Sequence, residues 1–225
     1  MTQVRPPSVR AGSRRLGVIL GAAGVFGASS AVAARGVPGS EVRAFRALNE
    51  LPAWVTPVLW PPMQLGSLWG PVAAGVLTWR RSHAWRPTAG VVIGGVAAWQ
   101  LAKVVKSFVQ RGRPADELDH IAWRPGTPRE GLGFVSGHTT VAFAMVTALS
   151  PYAGRVQRLG LLAVAAVVAG SRIQVGAHLP VDTVGGAALG VLVGETWTLL
   201  AGTGPTDATT GSGLTQAQPA GGSEQ

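Results

Sequence analysis

The sequence predicts an all-α integral membrane protein, a bundle of about six transmembrane helices. Of its 225 residues, 47% are hydrophobic and only 13% are charged, about half the charged fraction of an ordinary soluble domain. Its 32 glycines are typical of membrane helices that pack closely through small residues. Apolar segments follow one another along the chain, each long enough or nearly long enough to cross a bilayer.

The predicted spans lie in one membrane domain, residues 16–201. They are residues 16–34, 65–79, 90–105, 134–152, 159–170 and 181–201. Residues 1–15 are polar and basic, which predicts a disordered cytoplasmic tail. Residues 202–225 are rich in Gly, Thr, Ser and Gln, which predicts a disordered carboxyl-terminal tail.

The first apolar segment has two interpretations. It is long enough to be retained as a transmembrane helix, which we favour. A secretory signal is the alternative, because Arg14 and Arg15 precede the segment and Ala31–Val32–Ala33 resembles a cleavage site.

Between the first two spans, residues 40–60 combine charged residues with apolar residues at every third or fourth position. This pattern predicts an amphipathic helix in the membrane interface, with Trp54 and Trp60 at the level of the headgroups. A lid packed over the bundle is the alternative. Pro61 and Pro62 are expected to end this helix.

The net charge of +9 is compatible with nucleic-acid binding, but the position of the arginines argues against a nucleic-acid partner. They lie at the ends of apolar segments, where cytoplasmic charges anchor membrane helices: Arg14, Arg15, Arg80, Arg81, Arg86, Arg155 and Arg158. This bias predicts a multi-pass protein of the cell membrane, with residues 106–133 and 172–182 on the extracytoplasmic face. The absence of cysteine excludes disulfides and thiolate metal sites.

Arg172, His178 and Asp182 stand at the mouth of two apolar segments, where charged residues are costly and call for a functional explanation. Pro180 favours the first turn of a helix, so Asp182 can reach back and hold one ring nitrogen of His178. The other nitrogen is then oriented and nucleophilic, and Arg172 offers a planar cation to phosphate oxygens. For these residues alone a structural interpretation stays open: Asp182 caps a helix, His178 lies at the interface and Arg172 snorkels.

Two further motifs are expected on the same face. Lys106 and the pair Arg113–Pro114 place two cations at the end of the third span. The run Ser136–Gly137–His138 opens the fourth span, where the amino end of a helix offers backbone N–H groups to an anion. Each motif is weak alone, but the ordered set of three is specific.

The ordered set resembles the signature of the phosphatidic acid phosphatase type 2 (PAP2) family, which shares its site with vanadium haloperoxidases and bacterial class A non-specific acid phosphatases. That signature has a lysine and an Arg-Pro pair, then Pro-Ser-Gly-His, then Ser-Arg, a histidine and an aspartate. The match covers roughly residues 100–190, and the six-span layout resembles the membrane lipid phosphatase branch. Val135 stands where the family usually has proline, a difference that removes no catalytic atom.

The resemblance implies a role for each matching residue. Binding of the phosphoryl oxygens is implied for Lys106, Arg113, Ser136, Gly137 and Arg172. His178 would attack phosphorus and form a phosphohistidine, and Asp182 would orient it. His138 would protonate the leaving group and later activate water.

The sequence therefore predicts a membrane phosphatase that hydrolyses a lipid phosphate or diphosphate in the bilayer, such as phosphatidate or a polyprenyl (for example undecaprenyl) diphosphate. Three cations and helix-end dipoles can stabilise a phosphoryl group unaided, so we expect neither a metal nor a cofactor. The loop residues Asp116, Glu117, Asp119 and His120 are interpreted as solvated. The alternatives are a lipid-linked phosphotransferase and a non-catalytic protein that binds or transports a phosphorylated lipid.

Overall fold

The computed structural model describes residues 7–128 and 130–202, with side chains from residue 12 onward. This part of the chain is helical and contains no β-strand. Its helices are α1 (Pro7–Ala33), α2 (Gly39–Asn49), α3 (Val55–Gln64), α4 (Trp69–Ser82), α5 (Trp85–Val109), α6 (Pro114–Glu117), α7 (Gly137–Leu149), α8 (Arg155–Gln174) and α9 (Pro180–Leu200).

All six predicted spans are helical, as α1, α4, α5, α7, α8 and α9. Within the described part of the chain, four segments are long and apolar enough to cross a membrane: Gly12–Ala33, Trp85–Glu117, Arg155–Gln174 and Pro180–Leu200. Helices α4 and α7 have 14 and 13 residues, and at about 20 Å each they are shorter than a bilayer core of about 30 Å. The all-α, multi-pass membrane fold is confirmed, and six is an approximate count of its spans.

The amino-terminal helix begins earlier than expected. The sequence predicts a disordered tail to residue 15, whereas α1 begins at Pro7. Proline suits the first turn of a helix, because that turn makes no use of its missing N–H group. Residues 1–6, and the predicted carboxyl-terminal tail beyond residue 202, lie outside the described residues.

The predicted helix over residues 40–60 is in fact two helices, α2 and α3. Pro52 lies between them, and a proline disfavours helical backbone in the residue before it. The expectation that Pro61 and Pro62 end the helix is wrong, since both lie inside α3. Each proline removes one backbone donor but keeps a φ angle that a helix accepts.

Helix α2 packs on the bundle. Its residues Glu41, Phe45 and Asn49, which are four apart, are buried. Helix α2 contacts α8 and α9, and Phe45 joins Ile173 and Leu179 in one apolar cluster. This arrangement is the packed lid that the sequence left as the alternative to a helix in the interface.

The two ends of the bundle differ in chemistry. Arginines lie where α1 begins, α4 ends and α8 begins, and at this end Arg15 pairs with Glu195 of α9 at 3.3 Å. At the opposite end α5 and α8 finish, while α7 and α9 begin. Helix order therefore brings the three sequence motifs to one end of the bundle.

Helices α7 and α9 are in backbone contact along a row of glycines on α9. Gly186, Gly190 and Gly194 recur every four residues and so lie on one side of the helix. A Cβ atom on Gly190 would lie only 2.4 Å from the carbonyl oxygen of Thr140 in α7. The two helices whose first turns carry site residues are thus packed so closely that a side chain on Gly190 would clash.

Candidate active site

The turn between α8 and α9 presents His178. Helix α8 ends in a Schellman motif, in which the N–H of Gly176 donates to the Ile173 carbonyl at 2.9 Å and the N–H of Ala177 donates to the Arg172 carbonyl at 3.0 Å. Gly176 has a φ of +83°, a conformation that glycine adopts without steric cost. The turn thereby returns the chain to Arg172, whose carbonyl also accepts the N–H of His178 at 3.2 Å.

Asp182 lies in the first turn of α9 and is fully buried. Its Oδ2 accepts the N–H of Leu179 at 2.9 Å, so the carboxylate reaches back and caps the helix start. The same oxygen lies 3.5 Å from Nδ1 of His178, longer than an ordinary hydrogen bond. Among the described residues Nδ1 has no hydrogen-bond partner. Asp182 therefore caps α9 and also faces the histidine.

Arg111, which belongs to none of the sequence motifs, fixes Asp182 from another side. Its Nη1 lies 3.0 Å from Oδ1 of Asp182, and its Nη2 lies 2.6 Å from Oε2 of Glu41 on α2. All three side chains are at most 2% exposed. Glu41 also accepts the N–H of Val181 at 2.8 Å. Helix α2 thus supplies a carboxylate to the buried network that holds Asp182.

Lys106 and Arg113 bind backbone carbonyls around the site. Lys106 Nζ donates to the carbonyl of Leu132 at 2.6 Å. Arg113 donates from Nε to the Glu130 carbonyl at 2.9 Å and from Nη1 to the Ala177 carbonyl at 3.0 Å. Lys106 therefore ties the loop before α7 to α5, and Arg113 ties that loop to the start of α6 and to the turn that carries His178.

Arg172 is 2% exposed. Its Nη1 donates to the Gly126 carbonyl at 3.2 Å and contacts Sδ of Met63 at 3.4 Å. Its Nε has no hydrogen-bond partner among the described residues. A buried donor without a partner is costly, and an anion oxygen in the cavity would satisfy it.

Helix α7 opens toward the same place. The first N–H groups of a helix have no partner within it, and here Gly137 and His138 carry them. The His138 ring lies 6.4 Å from that of Trp99, centre to centre. The Ser136 side chain is fully buried, and its Oγ accepts a hydrogen bond from Thr139 at 3.0 Å.

A cavity of about 210 Å³ lies where these elements meet. Six of the eight predicted site residues line it: Lys106, Arg113, Gly137, His138, Arg172 and His178. Ser136 and Asp182 are buried behind its wall. Residues outside the prediction that line it are Trp99, Ala102, Lys103 and Pro128. The structure thus gathers cations, two imidazoles and a helix amino terminus around one space.

The surroundings keep His178 neutral. Burial lowers the pKa of His178 well below its usual value, and the positive charges of Lys106, Arg172 and Arg113 lower it further. At neutral pH the ring therefore keeps one nitrogen without a proton, which is the state that a nucleophile needs.

Among the described residues, acidic and histidine side chains do not cluster as a metal site would require. Across residues 7–128 and 130–202, no three histidine, cysteine, aspartate or glutamate side chains come together as a metal-binding group. The groups at the cavity are suited to an anion, since cations and helix N–H donors outnumber carboxylates there.

A sequence model of the PAP2 superfamily matches residues 87–203, more than half of the 225-residue chain. The chain belongs to the PAP2 superfamily. The matched region holds all eight predicted site residues of this PAP2 protein. No curated protein sequence matches the chain significantly.

Two solved structures share the fold of this PAP2 protein. LpxE of Aquifex aeolicus has a TM-score of 0.64 and 21% identity, over 70% of this chain and 94% of its own. A transmembrane PAP2 type phosphatidylglycerolphosphate phosphatase from Bacillus subtilis has a TM-score of 0.61 and 20% identity, over 80% of this chain and 94% of its own. At this level of identity the similarity establishes the fold.

The one departure from the PAP2 signature, Val135, is fully buried. With Phe134 it joins the apolar cluster of Ala33, Ala102 and Leu189. Its side chain does not line the cavity, so valine in place of proline leaves the polar groups of this PAP2 site where they are.

Sequence motifs alone miss several residues of the PAP2 site. Lys103 could have been found, because it precedes Lys106 by one helical turn and so shares its side of α5. Arg111 lies between two motif cations, but nothing in the sequence marks it as buried. Glu41 is 70 residues away from Arg111 along the chain, and no local pattern indicates that pairing.

Proposed function

We propose that the chain is a membrane phosphatase that hydrolyses a lipid phosphate or diphosphate through a phosphohistidine. One observation supports this above the others: the three cations of the sequence motifs and two histidines line a single cavity at one end of a membrane bundle, and His178 is backed by Asp182. A protein that only binds phosphate has no use for a nucleophile and a separate proton donor. The same residues therefore disfavour a non-catalytic role.

In the proposed first step His178 attacks phosphorus with Nε2, the nitrogen that does not face Asp182. The bond between phosphorus and the leaving oxygen breaks, and His138 gives that oxygen a proton. Lys106, Arg113 and Arg172, with the N–H of Gly137, stabilise the charge on the equatorial phosphoryl oxygens. Ser136, which lies behind the wall, is assigned to holding the start of α7.

In the second step water attacks the phosphohistidine. His138, neutral after the first step, takes a proton from that water, the bond between phosphorus and nitrogen breaks, and inorganic phosphate leaves. Asp182 acts between the two steps. The phosphorylated imidazole is positively charged, and a carboxylate 3.5 Å from Nδ1 stabilises it.

A lipid substrate is supported by the surface beside the cavity. Trp99 and Lys103 line the cavity from α5, and Val96 and Ile93 continue the same side of that helix at intervals of three residues. Val96 and Ile93 are 41% and 54% exposed. This apolar strip leads from the cavity along the membrane-facing surface and gives a lipid chain a path.

Phosphate release by the purified protein in a neutral detergent tests the function. The substrates are phosphatidate, phosphatidylglycerol phosphate and a polyprenyl diphosphate, each with EDTA present to remove divalent metals. We expect release from at least one lipid in EDTA and none from the His178→Ala variant. Release that EDTA abolishes would overturn the metal-independent mechanism. Transfer of labelled phosphoryl to a second lipid without free phosphate would favour the phosphotransferase.

We also propose that the cavity opens on the outer face of the cell membrane, because the arginine-rich end of the bundle belongs in the cytoplasm. The chain has no cysteine, so single cysteines can be placed cleanly at two exposed positions at opposite ends, Asp119→Cys and Ser82→Cys. In intact cells an impermeant maleimide should label the first variant, and it should label the second only after lysis. The opposite pattern would place the site in the cytoplasm.

A further inference from the structure

A fourth cation reaches the cavity from α5. Lys103 lines it together with Trp99, and neither residue belongs to the three motifs. Lys103 and Lys106 are the two lysines of the sequence, and they lie one turn apart on the same side of α5. The ammonium group of Lys103 is held 5.4 Å from the centre of the Trp99 ring, a cation–π distance.

The contacts place Lys103 on the side of His138. The Trp99 ring lies 6.4 Å from the His138 ring, so Trp99 links Lys103 to the proposed proton donor. Lys106 and Arg113 instead act electrostatically on His178, and Arg172 acts on both histidines. In phosphoryl transfer the nucleophile and the leaving oxygen stand on opposite sides of phosphorus, which puts Lys103 with the leaving group.

We propose that Lys103 binds a second phosphate of the substrate, the one that stays on the lipid after the terminal phosphoryl group has been transferred. The chain would therefore favour lipid diphosphates over lipid monophosphates, an inference that rests on the proposed phosphatase function. The leaving group of a lipid monophosphate is a neutral alcohol, which has no charge for an ammonium group to stabilise. The leaving group of a lipid diphosphate is a lipid phosphate, whose negative charge an ammonium group beside a partly dehydrated cavity can stabilise.

The reaction of a diphosphate then balances as follows. The bond between the terminal phosphorus and the bridging oxygen breaks, and a bond between that phosphorus and Nε2 of His178 forms. The bridging oxygen leaves with the lipid phosphate, takes a proton from His138 and remains near Lys103. Water then cleaves the phosphohistidine, so a lipid diphosphate and water give a lipid monophosphate and inorganic phosphate.

Initial rates with farnesyl diphosphate and farnesyl monophosphate test this, because the two substrates share one lipid chain. The quantity to compare is the ratio of kcat/KM for the diphosphate to that for the monophosphate. We expect Lys103→Gln to lower this ratio about ten-fold or more, the effect of losing one charge-assisted hydrogen bond. Lys103→Arg, which keeps the charge, should restore the ratio to within a few-fold of the wild-type value.

Arg81→Gln is the matched control, since it removes one exposed positive charge in the last turn of α4, at the end of the bundle away from the cavity. Its ratio should equal that of the wild type. The assay contains neutral detergent and no other lipid, so a neighbouring headgroup cannot be what Lys103 binds. An unchanged ratio in Lys103→Gln, or equal losses on both substrates, would overturn the second-phosphate site. Failure of the wild type on both substrates would count against the phosphatase itself.

Discussion

Replacing His178 by alanine is expected to abolish phosphate release, lowering the rate by about 10⁴-fold or more, as the loss of a nucleophile does in other enzymes. The hydrogen bonds that hold the turn and Asp182 do not use the imidazole. The Schellman turn uses only backbone groups, and Asp182 keeps its bonds to Leu179 and Arg111. The variant should therefore fold and still be inactive. Acid quenching of the wild type with labelled substrate should trap phosphate on the protein, whereas the alanine variant should carry none.

The companion variant His138→Ala separates the two histidines by role. With a lipid phosphate it should be slow, because the leaving oxygen lacks a proton donor. With 4-nitrophenyl phosphate, whose leaving group needs no proton, the first step should recover and labelled phosphoprotein should accumulate, since water is still not activated. A labelled His178→Ala chain, or an unlabelled His138→Ala chain under these conditions, would contradict the assignment.

His83 supplies the control for both variants. It is exposed at the opposite end of the bundle, in the left-handed backbone conformation at φ +48°. Asparagine tolerates this conformation better than most residues, so His83→Asn removes an imidazole with little strain. Its rate and its phosphoprotein level should match those of the wild type.

The second large effect is expected on stability, from Arg111→Met. Removal of the guanidinium leaves Glu41 and Asp182 buried and without their cation, and breaking a buried ion pair in this way costs about 3–5 kcal/mol. For a chain of this size that corresponds to a fall in the thermal midpoint of about 6–20 °C. Thermal denaturation in detergent is the measurement, and a midpoint within two degrees of the wild type would contradict the structural role.

Arg113, two residues further along, is the matched control. It is partly exposed at the cavity and bonds backbone carbonyls instead of buried carboxylates, so Arg113→Met should cost about 1–3 kcal/mol, less than Arg111→Met. It should nevertheless lose activity, because it removes a phosphate-binding cation. Arg111→Met is thus expected to lose more stability, whereas Arg113→Met is expected to lose mainly activity.

The helices were predictable because long apolar segments determine them, whereas their ends were less so. Pro61 and Pro62 lie within α3 although two prolines suggest a break, and the single Pro52 is what separates α2 from α3. The difference is one of context. A proline can be tolerated near the end of a helix that tertiary packing holds, but it still restricts the residue before it.

The cavity was largely predictable because its residues come in local motifs with fixed spacing. His178 and Asp182 share one turn, and the helix start at Pro180 fixes their relation. The network behind them was not predictable in the same way. The pairing of Glu41 with Arg111 depends on how α2 packs against the bundle, and that packing is a property of the whole fold.

The row of glycines between α7 and α9 has a consequence for how the reaction is aligned. The proton donor His138 lies at the start of α7 and the nucleophile His178 lies just before α9. The distance between them is therefore set by the packing of the two backbones at Gly186, Gly190 and Gly194. A contact between backbone atoms cannot change by rotation of a side chain. The distance between the two histidines, into which a phosphoryl group must fit, is therefore fixed by helix packing within the membrane, away from solvent and from the loops.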